Sequence, residues 1–140
     1  MNLRLILLPV DGSEHSRHAA EYAADLAGGM DAEIFVLHCL PPVPAYLGEP
    51  NFQKAVEYRD AEAEEIISPI REYLSGLGLR VRDMAVEGAP GEAIADAAKA
   101  ERADLIVMGS TGKTDLQGLI LGSVTHRVLH IAPCPVLVVR

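Results

Sequence analysis

The chain has 140 residues, 49% of them hydrophobic and only 4% aromatic, and a formal charge of -8. A chain of this length suits a single domain over residues 1–140, with a core filled by aliphatic side chains, as in parallel sheets covered on both faces. The negative charge excludes a sequence-independent grip on nucleic acid, which works by neutralising phosphates with Lys and Arg. It leaves room for one nucleotide held by a few local N–H groups, because distant carboxylates are screened beyond roughly 8–10 Å.

The first apolar run, LRLILLPV at residues 3–10, is too short to span a membrane, and no cleavage pattern follows it. It reads as a strand of a cytoplasmic protein. The turn signal DGS closes it and offers Ser13 as a helix N-cap. A helix follows, with Ala19, Ala20, Ala23, Ala24 and Ala27 on one stripe, and Gly28-Gly29 is expected to stop it.

AEIFVLHCL at residues 32–40 is a second buried strand. The loop PPVPAYLGEPN carries four prolines, which forbid regular structure and suggest an exposed flap. A long helix is expected over residues 52–76, kinked or divided at Pro69, with a solvated acidic face at Asp60, Glu62, Glu64 and Glu65. Residues 79–86 alternate apolar and polar, as a sheet strand with one wetter face, or an edge strand, does. Then come an Ala-rich helix opened by Pro90, the short strand DLIVMG, the helix SVTHRVLHIA and the final strand PVLVVR. Strands and helices therefore alternate throughout, which implies one open parallel α/β sheet with helices on both faces.

Cys39 and Cys134 form no C-x-x-C pair and sit in apolar segments, where buried free thiols are expected. His126 and His130 stand at i and i+4, but without an acidic or cysteine partner nearby they read as surface or capping residues, and no metal site is expected. There is no nucleophile elbow and no pair of carboxylates at strand ends beyond Asp11.

The stretch VMGSTGKTD ends in a G-K-T triplet, Gly112, Lys113 and Thr114. A nucleoside-triphosphate loop needs another glycine five residues before Gly112, and Val107 stands there instead, so that geometry fails. A different spacing remains: Gly109, two residues, Gly112, nine residues, then Gly122-Ser123 opening the last helix. Gly109 and Gly112 remove side chains where main chain must approach a ligand. Gly122 and Ser123 sit where free N–H groups and the helix dipole attract phosphate, and the Ser123 hydroxyl can donate as well. Ligands of open α/β sheets bind beyond the carboxyl ends of the strands where strand order reverses, so a shared pocket with Asp11 makes the first and fourth strands neighbours. Asp11 suits the hydroxyls of a ribose, or is a plain Asp-Gly turn residue; Lys113 either neutralises phosphate or is a solvated loop lysine.

ILLPVDGSEHS, VLHC and the closing stretch from Ala103 to Val139, with its G-2x-G-9x-G-[ST] spacing, resemble the universal stress protein family along essentially the whole chain. The resemblance implies a five-stranded parallel sheet of order 3-2-1-4-5 and a Rossmann-like fold of the adenine nucleotide alpha hydrolase type. It also implies ATP at the switch point, with Mg²⁺ or Mn²⁺. Carried onto this chain, Pro9, Val10 and Asp11 line the adenosine side and Cys39 meets adenine through its backbone. Met108 and Gly109 touch base and ribose, and Thr111, Gly112, Gly122, Ser123 and Val124 surround the phosphates. The final strand, Val136 to Val139, is an edge expected to pair with a second copy in a homodimer. Two positions depart from the family pattern. Thr111 stands where His or Arg is often found, and Asp115 puts a carboxylate where glycine is frequent. Either weakens affinity, though an Asp115 facing solvent would do little.

The function these features imply is an ATP-binding stress-response or signalling protein whose nucleotide biases the flap and a partner surface. The alternatives are a slow ATPase and a nucleotide-free dimeric interaction module. No group to activate water stands out, so any turnover is expected to be slow.

Overall fold

The computed structural model describes residues 2–113, 115–118 and 120–140; Thr114 of the G-K-T triplet lies outside them. Five strands, β1 (Leu5–Pro9), β2 (Glu33–Leu40), β3 (Val81–Glu87), β4 (Leu105–Gly109) and β5 (Val136–Val139), form one sheet in the order β3-β2-β1-β4-β5. Every neighbouring pair is parallel. Helices α1 (Glu14–Met30), α2 (Asn51–Gly76), α3 (Pro90–Ala100) and α4 (Ser123–Ile131) make the connections.

Alternation along the strands sends side chains to two cores. Ile6 and Leu8 of β1 pack with Ile34, Val36 and Val107 under the alanine stripe of α1 and Ile67, Ile70 and Leu74 of α2. Leu5 and Leu7 pack with Leu37, Ile106 and Met108 under Ile94 and Ala98 of α3 and Val128 of α4. Covered on both faces, β1 and β4 are buried at all five positions, which is why they read as unbroken aliphatic runs. Of the two readings of its alternating sequence, β3 takes the edge position, and it is largely exposed.

Three local readings change. Gly28 and Gly29 do not stop α1, which runs to Met30 and ends at Asp31 in the left-handed region, φ 54. Two helical glycines cost about 1 kcal/mol each, and the buried alanine stripe outweighs that. Pro69 does not divide α2, which is continuous; the proline sits on its exposed face, where the ring crowds no packed neighbour. The proline loop holds one short 3₁₀ turn, Ala45–Leu47, since Pro44 precedes it and adds no break inside it. The acidic face of α2 is solvated as expected, with Asp60, Glu62, Glu64 and Glu65 all exposed.

Candidate functional site

Ile6 and Leu7 of β1 pair with Leu105 and Ile106 of β4, so the two distinctive strand ends lie side by side where strand order reverses. A cavity of about 460 Å³ opens beyond them, within the roughly 300–1,000 Å³ of small-molecule sites. Of the residues singled out from the sequence, Pro9, Val10, Asp11 and Cys39 line it from the β1 and β2 side. Met108, Gly109, Thr111, Gly112, Lys113, Ser123 and Val124 line it from the β4 and α4 side. Gly122 is not one of the lining residues: it is buried behind them, its Cβ position facing Asp115 and the Thr111 Cα.

Asp11 is a turn residue and also a latch. Its Oδ1 accepts from the Ser13 N–H at 2.9 Å, bending the chain through Gly12 at φ 83, and its Oδ2 accepts from the Lys113 N–H at 3.0 Å. The second bond fastens the loop after β4 to the end of β1. Ser13 caps α1 as its position suggests, its Oγ accepting from the Ser16 N–H at 3.2 Å.

Glycine at 109, which lines the cavity, also has a steric reason from the packing of α1. A Cβ there would lie 2.8 Å from His15 Cβ and 2.9 Å from the His15 carbonyl carbon, so the missing side chain admits the first turn of α1. That same His15 reaches the loop, its Nδ1 lying 2.8 Å from Thr111 Oγ1. The buried Thr125 hydroxyl donates to the Gly109 carbonyl at 2.8 Å, and the Gly122 N–H donates to the Ser110 carbonyl at 2.6 Å. Together these bonds pin the start of α4 against the end of β4.

The N-cap of α4 is Gly122, and Ser123 is its first helical residue, so the Ser123 hydroxyl is not used in capping. The first helical bond runs from His126 N–H to the Gly122 carbonyl at 2.9 Å. The N–H groups of Ser123, Val124 and Thr125 therefore precede the helical ladder, and none has a hydrogen-bond partner among the described residues. The positive end of the helix dipole adds to them.

Asp115 does not face open solvent: it is half-buried, and its carboxylate accepts from the Gly112 N–H and rests against Gly122. Lys113 points the other way. Its ammonium lies 3.8 Å from where a Gly12 Cβ would stand, at the mouth of the cavity, and its side chain is exposed.

The opposite wall is apolar, with Val10, Leu37, Ile66 and Met108. Cys39 belongs to it, half-buried and not fully buried as expected, and Cys134 is likewise half-buried and free. Burial pushes the Cys39 thiol up to about 11, so it stays protonated near neutral pH and serves as wall, not nucleophile. His38 Nδ1 lies 2.8 Å from the Val10 carbonyl, joining the ends of β1 and β2. Arg59 of α2 donates to the Pro41 carbonyl at 3.1 Å and to Glu87 at 2.9 Å, anchoring the start of the proline loop beside the cavity. None of His15, His38, Arg59 and Thr125 stands in a recognisable spacing; each matters through a partner far along the chain. His126 and His130 are exposed on α4 with ring centroids 4.6 Å apart, and no group of three potential metal ligands occurs among the described residues.

A family model, the Universal stress protein family, matches residues 2–140. The chain belongs to the universal stress protein family. A universal stress protein of Thermus aquaticus, from the QAH/OAS sulfhydrylase 3' region, is 43% identical over 138 residues, 98% of each chain. The solved structure of MJ0577, a universal stress protein of Methanocaldococcus jannaschii, superposes with TM-score 0.89 at 32% identity, covering 99% of this chain and 96% of that one. The universal stress protein from Archaeoglobus fulgidus in complex with dAMP shares the fold, with TM-score 0.74 at 22% identity over 100% of both chains. As a universal stress protein domain the chain has the sheet order its resemblance implied. Among its described residues no helix is long and apolar enough to cross a membrane.

Proposed function

We propose that this universal stress protein is a cytoplasmic stress-response or signalling protein that binds ATP across the carboxyl ends of β1 and β4. The observation that carries the reading is the opening of α4, where three consecutive N–H groups without partners among the described residues face a nucleotide-sized cavity. The solved dAMP complex adds that this fold elsewhere carries an adenine nucleotide.

In this reading the apolar wall of Val10, Cys39 and Met108 takes the adenine, with Pro9 at its edge. Asp11 keeps acceptor capacity for ribose hydroxyls beside its two N–H bonds. Gly109, Thr111, Gly112, Gly122, Ser123 and Val124 surround ribose and phosphates, and Lys113 offers its charge from the mouth. Asp11 and Asp115 are the carboxylates near the phosphates, too few for a protein cage, so Mg²⁺ or Mn²⁺ fits as an ion carried in on the phosphates. Its chemistry there is charge neutralisation. Ligation alters the cavity wall that Arg59 ties to residues 41–50, and hence a surface open to a partner.

ATP at about 100 times its dissociation constant should add about 2.7 kcal/mol of stability, a rise in Tm of about 9 °C for a chain of this length. A melting scan with ATP, ADP, AMP and GTP measures it. No shift with any of them would leave a nucleotide-free interaction module, and phosphate release over hours would identify a slow ATPase.

The dimer is part of the same proposal. Pro135 and Val139 turn their carbonyls to β4, so Val136 and Val138 present theirs to the open edge, where a second copy pairs antiparallel. Val138→Pro removes an outward donor and spares the β4 ladder. It should convert a sedimenting dimer to monomer; a monomeric unaltered chain would contradict the pairing.

A further inference from the structure

Asp115 lies between the two glycines that frame the anion cradle. One carboxylate oxygen accepts from the Gly112 N–H, stands 3.3 Å from where a Gly112 Cβ would be, and fills the place of the missing Gly122 Cβ. Its Cγ is 3.1 Å from that same Gly122 position. Gly122 caps α4, so the carboxylate sits beside the positive end of that helix, where any anion is stabilised.

The groups around it are unusual for a structural carboxylate. Asp115 belongs to no ion pair among the described residues. The neighbouring charge is another carboxylate, Asp11, whose Oδ2 stands 2.7 Å from the Gly112 Cβ position on its own side. Lys113, the nearest cation in sequence, turns its ammonium toward Gly12. Asp115 is therefore held by a main-chain donor against the repulsion of Asp11. A phosphate group, with more charge and three acceptor oxygens, competes on better terms for the Gly112 N–H and for the space beside Gly122 that the carboxylate fills.

We infer that Asp115 is an internal occupant of the phosphate cradle, which a nucleotide must displace in order to bind. The inference rests on the nucleotide reading above and adds a regulatory element to it. Ligands are sorted by what they carry into the cradle: a phosphorylated nucleoside has to evict the carboxylate, whereas adenosine, with only base and ribose, does not. Without a nucleotide the Asp115 carboxylate stays on the Gly112 N–H, while the Gly122 N–H donates to the Ser110 carbonyl and holds the start of α4 beside it.

Titration calorimetry of Mg·ATP and of adenosine into the unaltered chain, Asp115→Asn and Asp115→Ala tests this. Both variants should bind Mg·ATP at least tenfold more tightly, with adenosine affinity within twofold. Unchanged or weaker Mg·ATP binding in both variants, alongside binding by the unaltered chain, overturns the displacement and leaves the nucleotide reading standing. Failure of all three chains to bind either ligand overturns both. A ligand-free measurement stands beside it: the Gly112 amide proton resonance should move upfield in Asp115→Ala, and an unmoved resonance means the carboxylate is not in the cradle.

Discussion

Gly122→Asp should cost this protein about a thousandfold in ATP affinity while leaving the fold standing. Gly122 has φ -72 and ψ 159, extended backbone that any residue adopts, and aspartate is a preferred N-cap, so helix α4 keeps its start. The new side chain, however, takes the space that the Asp115 carboxylate fills, so that flexible side chain has to swing out, and it comes to lie against Thr111, whose Cα is 3.1 Å from the Cβ position. A second carboxylate there faces the bound phosphates. At a separation of about 4 Å and an effective dielectric of about 20, one pair of like charges repels by about 4 kcal/mol, or about three decades of affinity. Calorimetry should show ATP binding lost, with the melting temperature of the free protein within a few degrees of its original value. An unchanged ATP affinity would mean that the phosphates sit elsewhere.

Gly109→Ala should act in the opposite sense, on the fold before the ligand. Its Cβ would meet His15 Cβ at 2.8 Å, the His15 carbonyl carbon at 2.9 Å and the Ser16 nitrogen at 3.1 Å. Two of these three atoms are backbone and cannot rotate away, so the first turn of α1 has to shift. Overpacking of this kind costs about 3 kcal/mol, or about 10 °C in Tm for a chain of this length. The same substitution at Gly28, which has nothing within 4 Å and lies inside α1, should be stabilising by contrast. Melting the two variants without ligand separates a steric requirement at Gly109 from a general preference for glycine.

Gly109 also shows where sequence reading reaches its end. The spacing of Gly109, Gly112, Gly122 and Ser123 marks a loop of unusual main chain, and that loop lies beside the cavity. Why each glycine is needed depends on what comes from the other side of the sheet crossing. At 109 it is α1, and at 112 it is the Asp11 carboxylate, both some ninety or more residues away in the chain. The strands were legible for a simpler reason. Burial of β1 and β4 on both faces demands aliphatic residues at every position, whereas exposed β3 at the sheet edge tolerates the polar residues Arg82, Asp83 and Glu87.

Helix ends were less legible, because they are decided by sums. The glycine pair at 28 and 29 and the proline at 69 each cost something local, and each is overridden by packing spread along a whole helix. The direction of Asp115 is harder still. A carboxylate in a glycine-rich loop reads equally well as solvated or as inward. The choice is made by two features no spacing reveals: an N–H at Gly112 without another partner, and the helix end that Thr125 and Ser110 draw up against β4.

A structure of the protein crystallised with Mg·ATP would show whether the opening of α4 holds the phosphates. Phosphate oxygens should lie within hydrogen-bond distance of the Ser123 and Val124 N–H groups, with the adenine against Val10 and Met108 and Asp115 turned out of the space beside Gly122. A nucleotide bound away from the opening of α4, or phosphates absent while Asp115 keeps its seat in the presence of saturating Mg·ATP, would contradict this placement.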